Sequence, residues 1–86
     1  MSYTVRISSS AAKEIQGLPK QEIPRVISKI EELADNPRPA GCKKLIGTPE
    51  KLWRIRSGNY RIVYAIEDKV KIVEVRSVGD RKAIYK

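Results

Sequence analysis

The sequence LWRIRSGNYRIVYAIEDKVKIVEVRSVGDRKAIY, residues 52–85, decides the expected fold because it reads as three successive strands followed by a short tail. Successive side chains of a strand point to opposite faces of the sheet. Arg54 and Arg56 are therefore expected on one face, and Trp53 and Ile55 on the other. Such a sheet has an apolar face for packing and an arginine-bearing face suited to an anionic ligand.

The two later strands are separated by turns with recognisable chemistry. Ser57-Gly58-Asn59 predicts a hairpin turn in which the glycine takes a positive φ. The strand predicted at residues 60–66 places Arg61 on one face, among apolar neighbours, and Tyr60 on the other. The strand predicted at residues 70–78 contains an adjacent apolar pair, Ile72-Val73, which breaks strict alternation. The pattern leaves open whether both faces are covered there or a bulge is present.

The first half of the chain predicts one strand and two helices. Residues 1–7 alternate as a strand, and three serines follow that are suited to cap a short helix over residues 11–16. Residues 20–34 carry an apolar stripe with helical spacing. Residues 43–50 read as a short extended piece and a turn. The expected order is β-α-α-β-β-β, an α+β fold in which a small antiparallel sheet carries an N-terminal helical hairpin on one face, within a single domain of residues 1–86.

The charge of the chain is concentrated in its second half. The 86 residues carry a formal net charge of +8, with six basic and five acidic side chains in residues 1–42, against twelve basic and five acidic in residues 43–86. This asymmetry favours a polyanionic partner: a nucleic acid, an anionic membrane or an acidic protein segment. Lys43 and Lys44 are candidate phosphate contacts, and Arg76 is expected to be a surface or ion-pair residue.

Several kinds of site are excluded by composition. The chain has one cysteine, Cys42, and no histidine, which excludes a disulfide framework, a cysteine or histidine metal site, and a histidine-based catalytic triad. We therefore expect no metal and no cofactor. No hydrophobic leader or membrane-length apolar run is present, so a cytoplasmic location without membrane attachment is expected.

The ordered set of motifs resembles the RelE/ParE superfamily of bacterial type II toxins. It comprises KKLIGTPEKLWRIRSGNYRIVY, residues 43–64, and VRSVGDRKAIY, residues 75–85. The resemblance spans nearly the whole chain and is greater to the RelE branch, whose members cleave messenger RNA in the ribosomal A site. It implies an RelB-like cognate antitoxin as partner, together with the ribosome and the message.

The resemblance also implies roles for individual residues. Arg54 and Arg56 would position the RNA backbone, although RelE-type enzymes often have lysines in that strand. Arg61 would stabilise phosphate charge in the transition state, and Arg81 would support the leaving group. Tyr85 would act as the base or as a stacking platform.

The implied reaction is attack of a ribose 2′-hydroxyl on the adjacent phosphate, which leaves a 2′,3′-cyclic phosphate. Arginine suits this reaction because its planar, permanently charged fork binds phosphate oxygens in pairs. With no histidine present, proton transfer falls to Tyr85, a carboxylate or a lysine. The ribosome would supply much of the orientation.

Two other functions remain compatible with the sequence. One is a ParE-like inhibitor of DNA gyrase, which shares the fold and performs no nuclease chemistry of its own. The other is a basic module that only binds RNA or a protein partner, in which the arginines affect only affinity and its salt dependence.

Overall fold

The structure, a computed structural model, describes residues 2–47 and 51–80. Two helices and five strands lie within these residues. In chain order they are β1 (Thr4–Ile7), α1 (Ser9–Gln16), α2 (Ile23–Asp35), β2 (Lys43–Lys44), β3 (Leu52–Ser57), β4 (Tyr60–Glu67) and β5 (Ile72–Asp80).

The strands form one sheet in the order β1-β5-β4-β3-β2, which places β4 at its centre. Strands β2 to β5 pair antiparallel, whereas β1 pairs parallel with β5. The predicted α+β class is confirmed, but the sheet is mixed and not wholly antiparallel. Alternation identifies a strand without identifying its neighbour, and β1 pairs with the strand farthest from it in the chain. The extended piece predicted after the helices contributes the two-residue strand β2 at the other edge.

The helix ends follow from local capping chemistry. The hydroxyl of Ser8 accepts a hydrogen bond from the backbone N–H of Ala11 at 3.1 Å, so α1 begins at Ser9, two residues before the predicted start. Helix α2 begins at Ile23, three residues after its predicted start, and carries Pro24 in its first turn, where the missing N–H is tolerated. The helical hairpin predicted from the apolar stripe is therefore present.

Both helices pack on one face of the sheet. Tyr64 of β4 is fully buried in this core, and its hydroxyl donates a hydrogen bond of 2.7 Å to the carbonyl oxygen of Pro37. The buried cluster consists of Ala11, Ile15, Val26, Ile30, Leu33, Ile55, Ile62, Tyr64, Val73, Val75 and Val78. Since the apolar side chains of the central strands face the helices, the opposite face of the sheet carries the arginines of β3 and β4.

Two irregularities of the sheet set where side chains point. Gly58 has φ of +60° in the two-residue turn between β3 and β4, as predicted for this hairpin. In β5, Val63 pairs with Ser77 while Tyr64 pairs with Val75, so Arg76 is the extra residue of a β-bulge. The break in alternation therefore lies at Arg76. The sequence pattern had suggested a possible bulge earlier in the strand, at the Ile72-Val73 pair. The bulge allows Val75 and Val78 both to face the helices.

Candidate functional site

Three arginines and one lysine lie on the sheet face opposite the helices. Arg56 of β3 and Arg61 of β4 are directly opposite each other in the register, and Arg54 of β3 is opposite Lys43 of β2. We call this surface, formed by Lys43, Arg54, Arg56 and Arg61, the arginine face. Antiparallel pairing brings directly opposed side chains close together, so four cations drawn from three strands converge there.

Two of these arginines are buried and one is exposed. The side chain of Arg61 in the central strand is only 1% exposed and that of Arg54 is 8% exposed, whereas Arg56 is exposed. Burying a charge removes its hydration, and like charges directly across a sheet repel each other. Buried and opposed cations of this kind are expected where a site is kept for a ligand. The unusual position of Arg61 among apolar neighbours follows from the sequence pattern as predicted.

A small cavity adjoins the arginine face at the β2–β3 edge. Its volume is about 300 Å³. Among the described residues it is lined by Lys29, Pro39, Ala40, Gly41, Lys43, Arg54, Ile55 and Arg56. Its cationic lining suits a phosphate group or a short anionic segment. Lys29 stands in no motif, because it lies on the polar side of the helix predicted over residues 20–34.

The structure brings together only some of the residues selected from the sequence. Lys43 lies on the arginine face, but Lys44 is opposite Trp53 and therefore projects to the other side of the sheet. Arg76 forms an ion pair with Glu74, in agreement with its interpretation as an ion-pair residue. Arg81 and Tyr85 lie outside the described residues.

A second polar cluster lies at the end of the sheet where β3 begins and β4 ends. Nη2 and Nη1 of Arg38 donate hydrogen bonds of 2.9 Å and 3.3 Å to the two carboxylate oxygens of Asp68. The Tyr3 hydroxyl donates to the same carboxylate at 2.7 Å, and the Arg38 guanidinium lies 5.1 Å from the centroid of the Trp53 ring. We call these four residues the Arg38 cluster.

The electrostatics of the Arg38 cluster follow from its hydrogen bonds. The bonds from Arg38, and next those from Tyr3, lower the pKa of Asp68 from its usual value to about 2. The same contact with Asp68 raises the pKa of Arg38. The sequence pattern did not predict this cluster, because its hydrogen-bonded members meet across 30 and 65 residues of chain.

The described part of the chain offers no group of three or more metal-ligating His, Cys, Asp or Glu residues. Within the same part, no helix has the length and apolar character needed to cross a membrane.

Comparison with known proteins identifies the family of this chain. The family model described as the ParE toxin of type II toxin-antitoxin system, parDE, matches residues 5–85. Toxin RelE of Mycobacterium tuberculosis is 35% identical over 85 residues, which cover 98% of this chain and 87% of that protein. The mRNA interferase toxin RelE of Escherichia coli K12 is 33% identical over 84 residues, covering 95% and 86% of the two chains.

A solved structure agrees with the sequence relatives. The archaeal RelE-RelB complex from Pyrococcus horikoshii contains a chain that superposes with a TM-score of 0.81 at 32% identity. The superposition covers 94% of this chain and 97% of that one. Because the family model, the relatives and the fold all agree, the chain belongs to the RelE/ParE superfamily of type II toxin-antitoxin toxins.

Proposed function

We propose that this toxin inhibits translation by cleaving messenger RNA in the ribosomal A site, as an endoribonuclease without metal or cofactor. The observation that carries the proposal is the arginine face, on which Arg61 of the central strand and Arg56 of the neighbouring strand are directly opposite each other. The relationship to an Escherichia coli toxin named an mRNA interferase supports the choice of substrate.

The proposed binding step uses the arginine face and its cavity. Arg54 and Arg56 hold the RNA backbone through phosphate oxygens, and Lys43 adds a third cation beside Arg54. Phosphate contacts of this kind fix the position of the RNA strand on the protein and do not distinguish one base from another. Lys44 projects to the other side of the sheet. Any phosphate that Lys44 contacts therefore belongs to a different part of the RNA strand.

The proposed chemical step is an in-line displacement at phosphorus. The ribose 2′-oxygen forms a bond to the adjacent phosphorus, and the bond from phosphorus to the 5′-oxygen of the next nucleotide breaks. The 2′-hydroxyl proton passes to the base, for which Tyr85 is the candidate. The departing 5′-oxygen takes up a proton, and Arg81 supports this leaving group. Arg61 stabilises the additional negative charge on the phosphate.

The buried position of Arg61 suits this role. A cation that is fixed by the surrounding sheet needs little reorganisation when charge develops beside it, and low local polarity strengthens the interaction. Arg61 is almost fully enclosed in the central strand, whereas Arg56 is exposed and better suited to capture the strand.

We also propose that an RelB-like antitoxin neutralises the toxin. Relatives of this chain have been solved as RelE-RelB complexes, including the one from Pyrococcus horikoshii. A chain with a net charge of +8 suits an acidic or amphipathic segment that folds as it binds.

The proposal is tested by inducible expression in a bacterium, with primer extension on a translated message. Wild-type toxin should arrest growth and produce cuts confined to translated codons. Arg61→Ala should lower the cleavage rate by about 10²–10³-fold, since one preorganised donor to a developing charge contributes that much. Arg25→Ala, which removes the same charge from an exposed position on α2, is the matched control and should cleave normally.

Other outcomes point to other functions. Growth arrest with an intact message would contradict the nuclease proposal and favour inhibition of DNA gyrase. The absence of arrest would leave a binding module. Circular dichroism of purified Arg61→Ala separates loss of chemistry from loss of fold.

A further inference from the structure

The guanidinium of Arg38 is held by contacts with Asp68 and Trp53. Its two terminal nitrogens both donate to the carboxylate of Asp68, which is fixed in turn by the Tyr3 hydroxyl. The Trp53 ring lies against the guanidinium, with 5.1 Å between the guanidinium carbon and the ring centroid. The Arg38 side chain is nevertheless 43% exposed. Two of the five N–H donors face Asp68 and one face is turned to Trp53, which leaves the other face and the remaining donors for a ligand.

Arg38 lines a cavity of about 780 Å³. Among the residues that the structure describes, the cavity is lined by five basic and two acidic side chains, together with the indole of Trp53. The basic ones are Arg38, Lys44, Lys51, Lys69 and Arg76. The two acidic ones are Glu67 and Asp68, and Asp68 is already bound to Arg38. The cavity therefore combines a flat cationic surface with surrounding lysines.

We infer that Arg38, fixed between Trp53 and Asp68, is a stacking platform for an unpaired base of single-stranded RNA, with the surrounding lysines contacting its phosphates. Single-stranded RNA is commonly recognised by stacking of its bases on aromatic rings or on the planes of arginine guanidinium groups. An immobilised guanidinium is a better platform than a mobile one, because little side-chain freedom remains to be lost on binding. This site rests on the proposed function, since it extends the path of the same RNA.

The cavity lies at the end of the sheet and borders both of its sides: Trp53 and Lys44 project to the helix side, whereas Ala65 lies on the side of the arginine face. Arg61, Val63 and Ala65 lie on the same side of β4, and Ala65 lines the cavity. Four residues of strand span about 13 Å, so Arg61 and the cavity are a short length of single strand apart. An RNA strand whose scissile phosphate lies at Arg61 can therefore reach Arg38 with a base a few nucleotides away, by passing over the end of the sheet.

The chemistry of the cluster favours RNA over an acidic protein segment. A carboxylate from a partner protein would bind best to the two-nitrogen edge of the guanidinium. That edge already donates to Asp68, whose negative charge offsets that of the guanidinium and weakens its attraction for a second carboxylate; the flat face and three of the five N–H donors remain for a ligand. A flat cationic face suits a nucleobase, which has a flat face of its own.

The test is nuclear magnetic resonance of the intact toxin with a short 2′-O-methyl oligoadenylate, which cannot undergo attack by its 2′-oxygen. A stacked adenine should shift the Arg38 Nε–H proton upfield through its ring current. An abasic strand of the same length should bind more weakly and leave that proton unshifted. Equal shifts with the two strands, or none with either, would overturn the inference.

A conservative variant separates stacking from charge. Arg38→Lys retains the charge and loses the plane, and it should weaken binding of the adenine strand about ten-fold, within the range expected for loss of one stacked base. Its affinity for the abasic strand should change little. Arg25→Lys, an equivalent change on the exposed surface of α2, is the control. If Arg38→Lys binds both strands like the wild type, or if an oligoglutamate peptide displaces the strand from Arg38 at lower concentration than RNA does, the inference is wrong.

The results that reject the stacking site differ from those that reject the proposed function. Message cleavage without a base-dependent shift at Arg38 would reject the platform and keep the nuclease. A base-dependent shift without message cleavage would keep the platform and reject the nuclease.

Discussion

Asp68 is a single carboxylate whose protonation depends on two residues from distant parts of the chain. Hydrogen bonds from Arg38, and next from Tyr3, lower its pKa to about 2 in the folded protein. In the unfolded chain an aspartate has a pKa near 3.9. The folded state therefore gains stability from the ionised carboxylate above about pH 4, and this contribution is lost as the pH falls from about 4 to about 2.

Asp68→Asn should remove this contribution. The variant should be less stable than the wild type at neutral pH by a small amount, because the pair is solvent-exposed. The difference between the two proteins should shrink as the pH falls towards 2. Urea unfolding at a series of pH values measures it, with Glu31→Gln on the exposed surface of α2 as the control. A constant difference between wild type and variant at every pH would contradict the assignment.

At the residue scale, what the sequence could predict depended on the range of the interaction. The faces of Arg54, Arg56 and Arg61 followed from alternation, which is a local rule. The Arg38 cluster could not be found in this way, because a helix-ending loop and a turn between strands meet only after the sheet has formed. The roles of Arg81 and Tyr85 remain predictions, since both lie outside the described residues.

At the element scale, capping and turn residues determined where elements begin and end more than intrinsic helix or strand propensity did. Helix α1 extends back to Ser9 because Ser8 caps it, and the β3–β4 hairpin turns at Gly58 as its sequence predicts. The pairing of the strands was harder to predict from the sequence. The parallel contact of β1 with β5 depends on how the helical hairpin lies across the sheet, and the bulge at Arg76 depends on packing against β4.

Ser8→Ala tests the cap of α1. The side chain of Ser8 accepts a hydrogen bond from the Ala11 N–H and contacts the carbonyl oxygen of Arg76 in β5. Its loss should lower the free energy of unfolding by about 1 kcal/mol. Ser9→Ala, at the exposed first residue of the helix, should change it by less than about 0.5 kcal/mol. Equal losses in urea unfolding would show that Ser8 does not act as a cap.

At the scale of the whole molecule, the sheet separates two functions of the chain. One face packs against the helices and forms the core, and the other carries Arg54, Arg56 and Arg61, of which Arg56 is exposed. The net charge of +8 predicts attraction to a polyanion without indicating where it binds. The strand register, which places Arg56 opposite Arg61, shows where positive charge is concentrated into a local site.

The salt dependence of RNA binding distinguishes a local site from diffuse charge. Each phosphate neutralised on a single strand contributes about 0.7 to the slope of log affinity against log salt. If Arg54 and Arg56 each contact a phosphate, replacing both with alanine should reduce the slope by about 1.4 for a 2′-O-methyl strand. The control replaces Lys13 and Arg25, which are exposed on the helices, and removes the same charge from the other side of the molecule. That pair should leave the slope nearly unchanged, with circular dichroism confirming that both variants fold. Equal reductions would mean that net charge, and not the arginine face, governs association with RNA.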